Sequence, residues 1–289
     1  MTRVRPVLLG VAGVVLLGVL WEAYKALGPV RGVLLGGITV LPRTDDSAMP
    51  HLVTIAARLG QPVLAASGSD PLWLAVARAA GATLAVAAAG WVLGVLVGLL
   101  LAVLMQRFRT AESALYPWII LSQTVPLIAL APLVSGIGAQ IRFGSTPWQD
   151  WMSVAVIAAY LAFFPVSVGA LRGFSSPERA HVELLRTYAV GWWATLLRLR
   201  LPASVPYLLP ALRLAAANAV IGTVVAEVAV GLQGGIGRMM LETAQASSGD
   251  PAKPWAPILG AIVVGLIAAA VVALLGQALR RYRRGEVAA

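Results

Sequence analysis

The reactive side chains of this sequence are few, and their spacing excludes most chemistry. It has no cysteine, which rules out disulfides, thiolate metal sites and cysteine nucleophiles. Its two histidines, His51 and His181, are isolated and lack metal-ligand spacing, so both are expected to be solvated and no metal is expected. The lysines, Lys25 and Lys253, do not stand in a Gly-Lys-Ser/Thr context, so the chain carries no phosphate-cradling loop of its own. The apolar runs hold no cluster of His, Asp or Glu of the kind a membrane-embedded enzyme would need. No catalytic residue and no bound cofactor are therefore expected, and energy from a nucleotide would have to arrive through another subunit. Two places remain. One is Glu227, an acid near the end of an apolar run, where a carboxylate is either functional or held by a structural hydrogen bond. The other is a charged cassette: Glu183-Leu184-Leu185, three residues, Ala189, nine residues, then Leu199-Arg200-Leu201-Pro202.

Both places are set among elements built for lipid. The 289 residues have a mean hydropathy of +0.85 and only 12% charged side chains, against about 25% in soluble domains. Several apolar runs exceed the roughly 18 residues that cross hydrocarbon. A multi-pass, all-α membrane protein is expected, with six spans at about 7–25, 81–105, 116–134, 152–171, 207–230 and 256–279. The first run resembles a signal peptide but lacks a small-residue cleavage site before Trp21-Glu22, so it reads as a retained helix. Residues 29–73 are broken by Pro42, Pro50, Pro62 and Pro71; within them 30–41 reads as an interfacial piece, and Asp45-Asp46 as an exposed turn.

Net charge +10 would suggest nucleic acid in a soluble chain. Here it is topological. With both termini inside, 14 of the 22 basic residues face the cytoplasm: Arg3, Arg5, Arg107, Arg109, Arg172, Arg179, Arg186, Arg198, Arg200, Arg213, Arg280, Arg281, Arg283 and Arg284. That asymmetry fixes orientation, with Arg280 to Arg284 as a final anchor on the lipid surface. No nucleic-acid partner is expected.

Within the spans, Gly90, Gly94 and Gly98 fall four apart and form a ridge without side chains, a seam for close helix packing. Gln123, Thr124 and Asn218 are the main polar groups deep in spans; they line a pathway or gate, or tie helices together.

The cassette cannot lie in hydrocarbon. Glu178, Arg179, Glu183, Arg186, Arg198 and Arg200 would each cost roughly 2.5–3.5 kcal/mol there. Ser176-Pro177-Glu178 reads as a helix start, with Ser as N-cap, and the helix should run to about residue 190 before Gly191 breaks it. A second short helix, 192–201, would stop at Pro202. Val182, Leu185 and Ala189 fall on one stripe with Glu183 and Arg186 beside it, an amphipathic element suited to a groove on a soluble protein, or to the lipid surface.

These residues resemble the EAA loop of binding-protein-dependent ABC importer permeases, whose motif is E-A-A, three residues, G, nine residues, I-x-L-P. Glu183, Leu201 and Pro202 match; Leu184 and Leu185 replace the alanines, Ala189 the glycine and Leu199 the isoleucine. With the motif glycine gone, Gly191 is expected to supply the turn's flexibility. Val225-Ala226-Glu227 with Gly234-Gly235-Ile236-Gly237 is similar to the nitrate/sulfonate/taurine branch, as are Thr124-Val125-Pro126, Ala131-Pro132 and Leu41-Pro42. The likeness covers about residues 70–280.

The resemblance implies a type I importer permease in the bacterial cytoplasmic (inner) membrane. Residues 1–70 would form an N-terminal helix and extracytoplasmic segment, 71–284 the permease core with its coupling loop at about 172–206, and 285–289 a tail. It implies a second permease copy, making a homodimer, an extracytoplasmic substrate-binding protein, and an ATPase subunit that holds ATP and Mg. The ATPase would be met by Glu183, Leu184, Leu185, Ala189, Gly191, Leu199, Leu201 and Pro202. The branch implies a small anion such as a sulfonate, taurine or nitrate. The stretch from Gly249 to Trp255 is instead like relatives that import pyrimidine or flavin vitamin precursors, and the spans offer no arginine pocket for an anion. An ion-gradient-driven transporter is the rival from another class; it would want midplane carboxylates, and Glu227 is the one candidate.

Overall fold

A computed structural model describes residues 4–35, 38–64 and 69–278. The anchor from Arg280 to Arg284 and the tail 285–289 lie outside the described residues. Helices dominate: α1 (Val4–Leu27), α2 (Leu52–Leu59), α3 (Leu72–Arg107), α4 (Arg109–Ser122), α5 (Leu127–Gly138), α6 (Asp150–Phe174), α7 (Arg179–Thr187), α8 (Trp192–Thr195), α9 (Leu201–Val230), α10 (Ile236–Gln245) and α11 (Trp255–Ala278). Two short antiparallel pairs complete the set: β1 (Val33–Leu35) with β2 (Ile38–Leu41), and β3 (Arg142–Phe143) with β4 (Thr146–Pro147). The expected interfacial piece is thus the first of these strand pairs.

Among the described residues, five helices are long and apolar enough to cross a membrane, and six if the bent pair α4–α5 counts as one. That pair corrects the third expected span, which is not straight: its halves meet at 107°. The cause is local. Turn bonds from Gln123, Thr124 and Val125 to the carbonyls of Ile120, Leu121 and Ser122 close α4, and Pro126, lacking an N–H, restarts the chain as the N-cap of α5.

The chain divides into two compact units, residues 1–77 with 239–259, and residues 78–238 with 260–289. In the first, the end of α1 is stitched to the segment after it. Lys25 Nζ donates to Asp46 Oδ1 at 2.6 Å, Met49 O at 2.6 Å and Thr44 O at 3.2 Å. Trp21 Nε1 donates to Pro50 O and Tyr24 Oη to Pro42 O. Glu22 takes the Leu52 N–H at 2.7 Å and lies 2.8 Å from His51 Nδ1, so its carboxylate caps the positive end of α2. Arg58 Nε pairs with Asp250 Oδ2 at 2.5 Å, and Lys253 Nζ donates to Val63 O. Asp45 and Asp46 stand on a turn, as expected, with Asp46 exposed and Asp45 half-buried, and both are engaged: Asp45 accepts from Ser47 and faces Arg43. The Lys25 ammonium, by hydrogen bond and by charge, holds the Asp46 carboxyl below the usual range.

In the second unit α6 is the buried axis. On one side it receives the glycine ridge of α3. A Cβ built on Gly90 would meet Ala158 Cβ at 2.5 Å, one on Gly94 would meet Ala162 Cβ at 2.7 Å, and one on Gly98 would meet Val166 Cβ at 2.8 Å. Both rows step by four, so the bare face of α3 seats the row Ala158, Ala162 and Val166. On the other side α9 closes against α6 with its own small residues: Gly222 faces Ala158, and Ser204 faces Gly173. Asn218 Nδ2 donates to Leu161 O at 3.2 Å across the same interface.

Candidate functional site

The cassette is a helix–turn–helix with a fixed base and a bare tip. Its base is the second limb. Leu196 is buried with Ala102, Met105, Ile119, Ala170, Leu171 and Phe174, and Trp192 packs on that cluster. The Arg107 guanidinium lies 5.3 Å from the Trp192 ring centre. Arg200 Nη1 donates to Phe174 O at 2.8 Å, satisfying a carbonyl at the end of α6.

Leu196–Arg200 forms a single π-helical turn. Pro202, in the first turn of α9, has no N–H for the Arg198 carbonyl. The turn widens to the next register, and Leu201 N–H donates to Leu196 O. Widened turns of this kind recur at functional places.

The first limb, α7, has no buried residue. It starts at Arg179 with Glu178 as N-cap, not at Ser176, whose Oγ instead bonds Gly173 O and Ala203 O. It also ends at Thr187, short of the expected 190. Its end is a left-handed stop: Ala189 N–H donates to Arg186 O and Val190 N–H to Leu185 O, both at 2.9 Å. This is the paired bonding of a Schellman motif, whose pivot must take a positive φ. Ala189 is that pivot, at φ 55°, and the one non-glycine described residue with positive φ.

The family's glycine at this place thus has a physical reason, and alanine there carries a strain of roughly 1–2 kcal/mol. Gly191 does not stand in for it. Gly191 is extended, at φ −65° and ψ 161°, and precedes α8 as its N-cap.

The outward face differs from the expected stripe. Val182 and Leu185 are half-buried, whereas Ala189 is exposed. The large apolar groups in solvent are Leu184 on α7 and Tyr188 at its C-cap, one turn apart, and Trp193, Leu197 and Leu201 on the second limb, again four apart. Tyr188 is 74% exposed and Trp193 66%. Glu183, Arg186 and Arg198 are exposed around them, and His181 lies 3.8 Å from Glu178. Leu199 and Pro202 are half-buried and belong to the base. Tyr188, Trp193 and Leu197 were missed from sequence; the step of four from Leu184 and from Leu201 was the available signal.

The other polar candidates do something else. Glu227 is fully buried. Its Oε1 accepts from Thr83 Oγ1 and its Oε2 from the Gly237 N–H, each at 2.7 Å, and Thr83 Oγ1 accepts the Ile236 N–H at 2.8 Å. The acid therefore anchors the start of α10 to α3 and α9, and Gly235 and Gly237 leave the room it needs. Of the two readings open for Glu227, its bonds are those of a structural tie. Asn218 is likewise a tie. Gln123 caps α4 and bonds Ser122 Oγ at 3.2 Å, while Thr124 is exposed and donates to Leu121 O. The structure does not bring these four together around one cavity: each bonds within its own neighbourhood.

Long apolar helices, α6 buried among them against α3 and α9, with an anchored but bare-tipped polar knuckle, are the build of a membrane transport subunit. The chain belongs to the family of binding-protein-dependent transport system inner membrane components, which it matches over residues 94–283. It is 34% identical to the formylaminopyrimidine transport permease protein ThiX of Halalkalibacterium halodurans, over 71% of this chain and 77% of that one. It is 29% identical to the putative aliphatic sulfonates transport permease protein SsuC of Bacillus subtilis, over 90% of each chain. It is 28% identical to the riboflavin transport system permease protein RibX of Chloroflexus aurantiacus, over 44% of each. It is accordingly a multi-pass ABC permease of the inner membrane.

Proposed function

We propose that this permease is one half of the pathway of an ATP-driven importer, and that the cassette is its lever. A soluble ATPase subunit, holding ATP and Mg, seats the apolar tip formed by Leu184, Tyr188, Trp193 and Leu197, with Glu183 and Arg186 setting register. A second copy of the permease completes the pathway, and an extracytoplasmic binding protein delivers the solute. Closure of the ATPases biases one of two global states, and the base at Trp192, Leu196 and Arg200 passes that bias to α6 and α9. The observation that carries this reading is the exposure of a large apolar tip on a helix with no buried residue, next to a base that is packed and hydrogen-bonded. A free apolar patch framed by charge marks a protein interface.

The test is Glu183→Lys. Membrane insertion should be normal, co-purification with the ATPase should fail, and uptake should stop. Normal uptake by this variant would overturn the lever. Uptake in the parent should survive collapse of the proton gradient and not depletion of ATP, which separates the reading from a gradient-driven transporter.

Two cargo readings each have a supporting observation. A heteroaromatic vitamin precursor, of the pyrimidine or flavin kind, is favoured by the 34% identity to the formylaminopyrimidine permease. A sulfonate or similar small anion is favoured by the relative that aligns over 90% of the chain. Mass spectrometry of the ligand held by the cognate binding protein decides between them.

A further inference from the structure

On the second unit, α3, α9 and α11 enclose an open apolar cavity of about 230 Å³. Its lining is Leu84, Ala87, Trp91, Ala216, Ala268 and Val272, among others of the same kind. Ala87, Val220 and Val272 form a buried floor, whereas Val271 at the rim is 49% exposed. The one polar group in the wall is spent inward, since Trp91 Nε1 donates to Leu212 O at 3.2 Å. Small side chains on three spans thus leave a slot that opens on the apolar outer surface of these helices. At ~30 Å³ per water-sized group, the slot holds roughly seven or eight methylenes.

One end of the slot has a charge. Arg213 lies one turn before Ala216 on α9, and Gly276 one turn after Val272 on α11. A Cβ on Gly276 would sit 3.6 Å from Arg213 Nη2, so the guanidinium crosses α11 at that turn. Arg213 is exposed and has no hydrogen bond or ion pair among the described residues. An unpaired guanidinium within a span is costly unless it reaches an anion or the membrane interface. A basic group at the mouth of a pocket between spans fits a lipid phosphate.

We propose that this slot binds one acyl chain of an anionic phospholipid of the cytoplasmic leaflet, with the phosphate on Arg213. The leaflet rests on the orientation of the proposed importer; the occupant does not. A second copy of the chain is the competing occupant, and the experiment separates the two.

A diazirine-bearing amino acid is placed at Val271 in the full-length protein and irradiated in the expressing cell's membrane. The expected adduct has the mass of one phospholipid. A species of twice the protein mass overturns the proposal. In parallel, the protein is taken from vesicles of phosphatidylglycerol and phosphatidylethanolamine, and retained lipid is read by native mass spectrometry. Arg213→Ala should lower retained phosphatidylglycerol about five-fold, Arg213→Lys should restore it, and phosphatidylethanolamine should not change. Ala268→Phe, which fills the slot, should lower retention of both. Equal phosphatidylglycerol on parent and Arg213→Ala overturns the proposal even if Ala268→Phe fails to fold. Uptake is not a readout here, so failure of the importer reading leaves this result interpretable.

Discussion

The cassette and the Glu227 knot are two polar places on the second unit, and they handle polarity in opposite ways. Around Glu227 every group has a partner: two N–H donors, one hydroxyl and one carboxylate close a loop with no exposed atom. In the cassette the backbone is closed just as well, by the left-handed stop at Ala189. Its side chains are not. Leu184, Tyr188, Trp193 and Leu197 stand in solvent, with Glu183, Arg186 and Arg198 exposed beside them. A buried polar group that is fully satisfied reports on the fold. An apolar surface left open on a rigid base reports on a partner. That difference sets Glu227 apart as a buried tie and leaves the cassette with an open apolar surface, the one proposed to meet the ATPase.

The comparison breaks most visibly at Glu227. Glu227→Leu strands the Gly237 N–H and the Thr83 hydroxyl in an apolar setting, a cost of about 3 kcal/mol. A fall in thermal stability and in membrane accumulation is expected. If uptake vanishes while stability is unchanged, Glu227 belongs to the gate after all.

At the cassette the expectation is reversed. Tyr188→Ala removes an exposed side chain, so stability should move by no more than about 0.5 kcal/mol. Affinity for the ATPase should drop by about 2 kcal/mol, the scale of an aromatic hot spot. Titration of the purified permease with its ATPase measures this, and unchanged affinity would remove Tyr188 from the interface.

Ala189→Gly sharpens the contrast in the other direction. Relief of the positive φ should stabilise the cassette by about 1 kcal/mol, read as slower amide exchange at Ala189 and Val190. Faster exchange there would mean that the left-handed stop is not held.

The smallest effect lies in the first unit, at Asp46. Its carboxyl is depressed in the folded chain by Lys25, so the pair stabilises above the unfolded carboxyl value and is lost as pH falls through the depressed one. Acidification should loosen the contact between the end of α1 and residues 44–49, and Asp46→Asn should shrink that response to the share carried by Glu22, whose carboxyl the Leu52 N–H and His51 also hold low. Proteolysis of this segment across the acid range is the check.

Much of the fold was legible without coordinates because it rests on local periodicity and on the cost of charge in lipid. The runs that became α1, α3, α6, α9 and α11 are long and apolar. The charge between α6 and α9 could only be outside hydrocarbon. The glycines at 90, 94 and 98 share a face by helical geometry alone, and that face is the one pressed on α6. Less legible were the helix ends. Pro177 suggested an earlier start for α7, yet Ser176 is engaged with Gly173 and Ala203. The turn near Pro126 bends the third run by 107°, although its apolar composition reads as continuous.

By itself the sequence determined that the chain is a multi-pass helical protein with a polar knuckle of fixed motif spacing, since hydrophobic runs and charge positions are properties of neighbouring residues. Tertiary structure alone decided that Glu227 meets Thr83 across 144 residues, that Lys25 is caged by Thr44, Asp46 and Met49, and that α7 turns Tyr188 outward and half-buries Leu185. Those outcomes depend on which distant groups are brought within about 3 Å of one another, and the order of residues along a chain does not contain that distance.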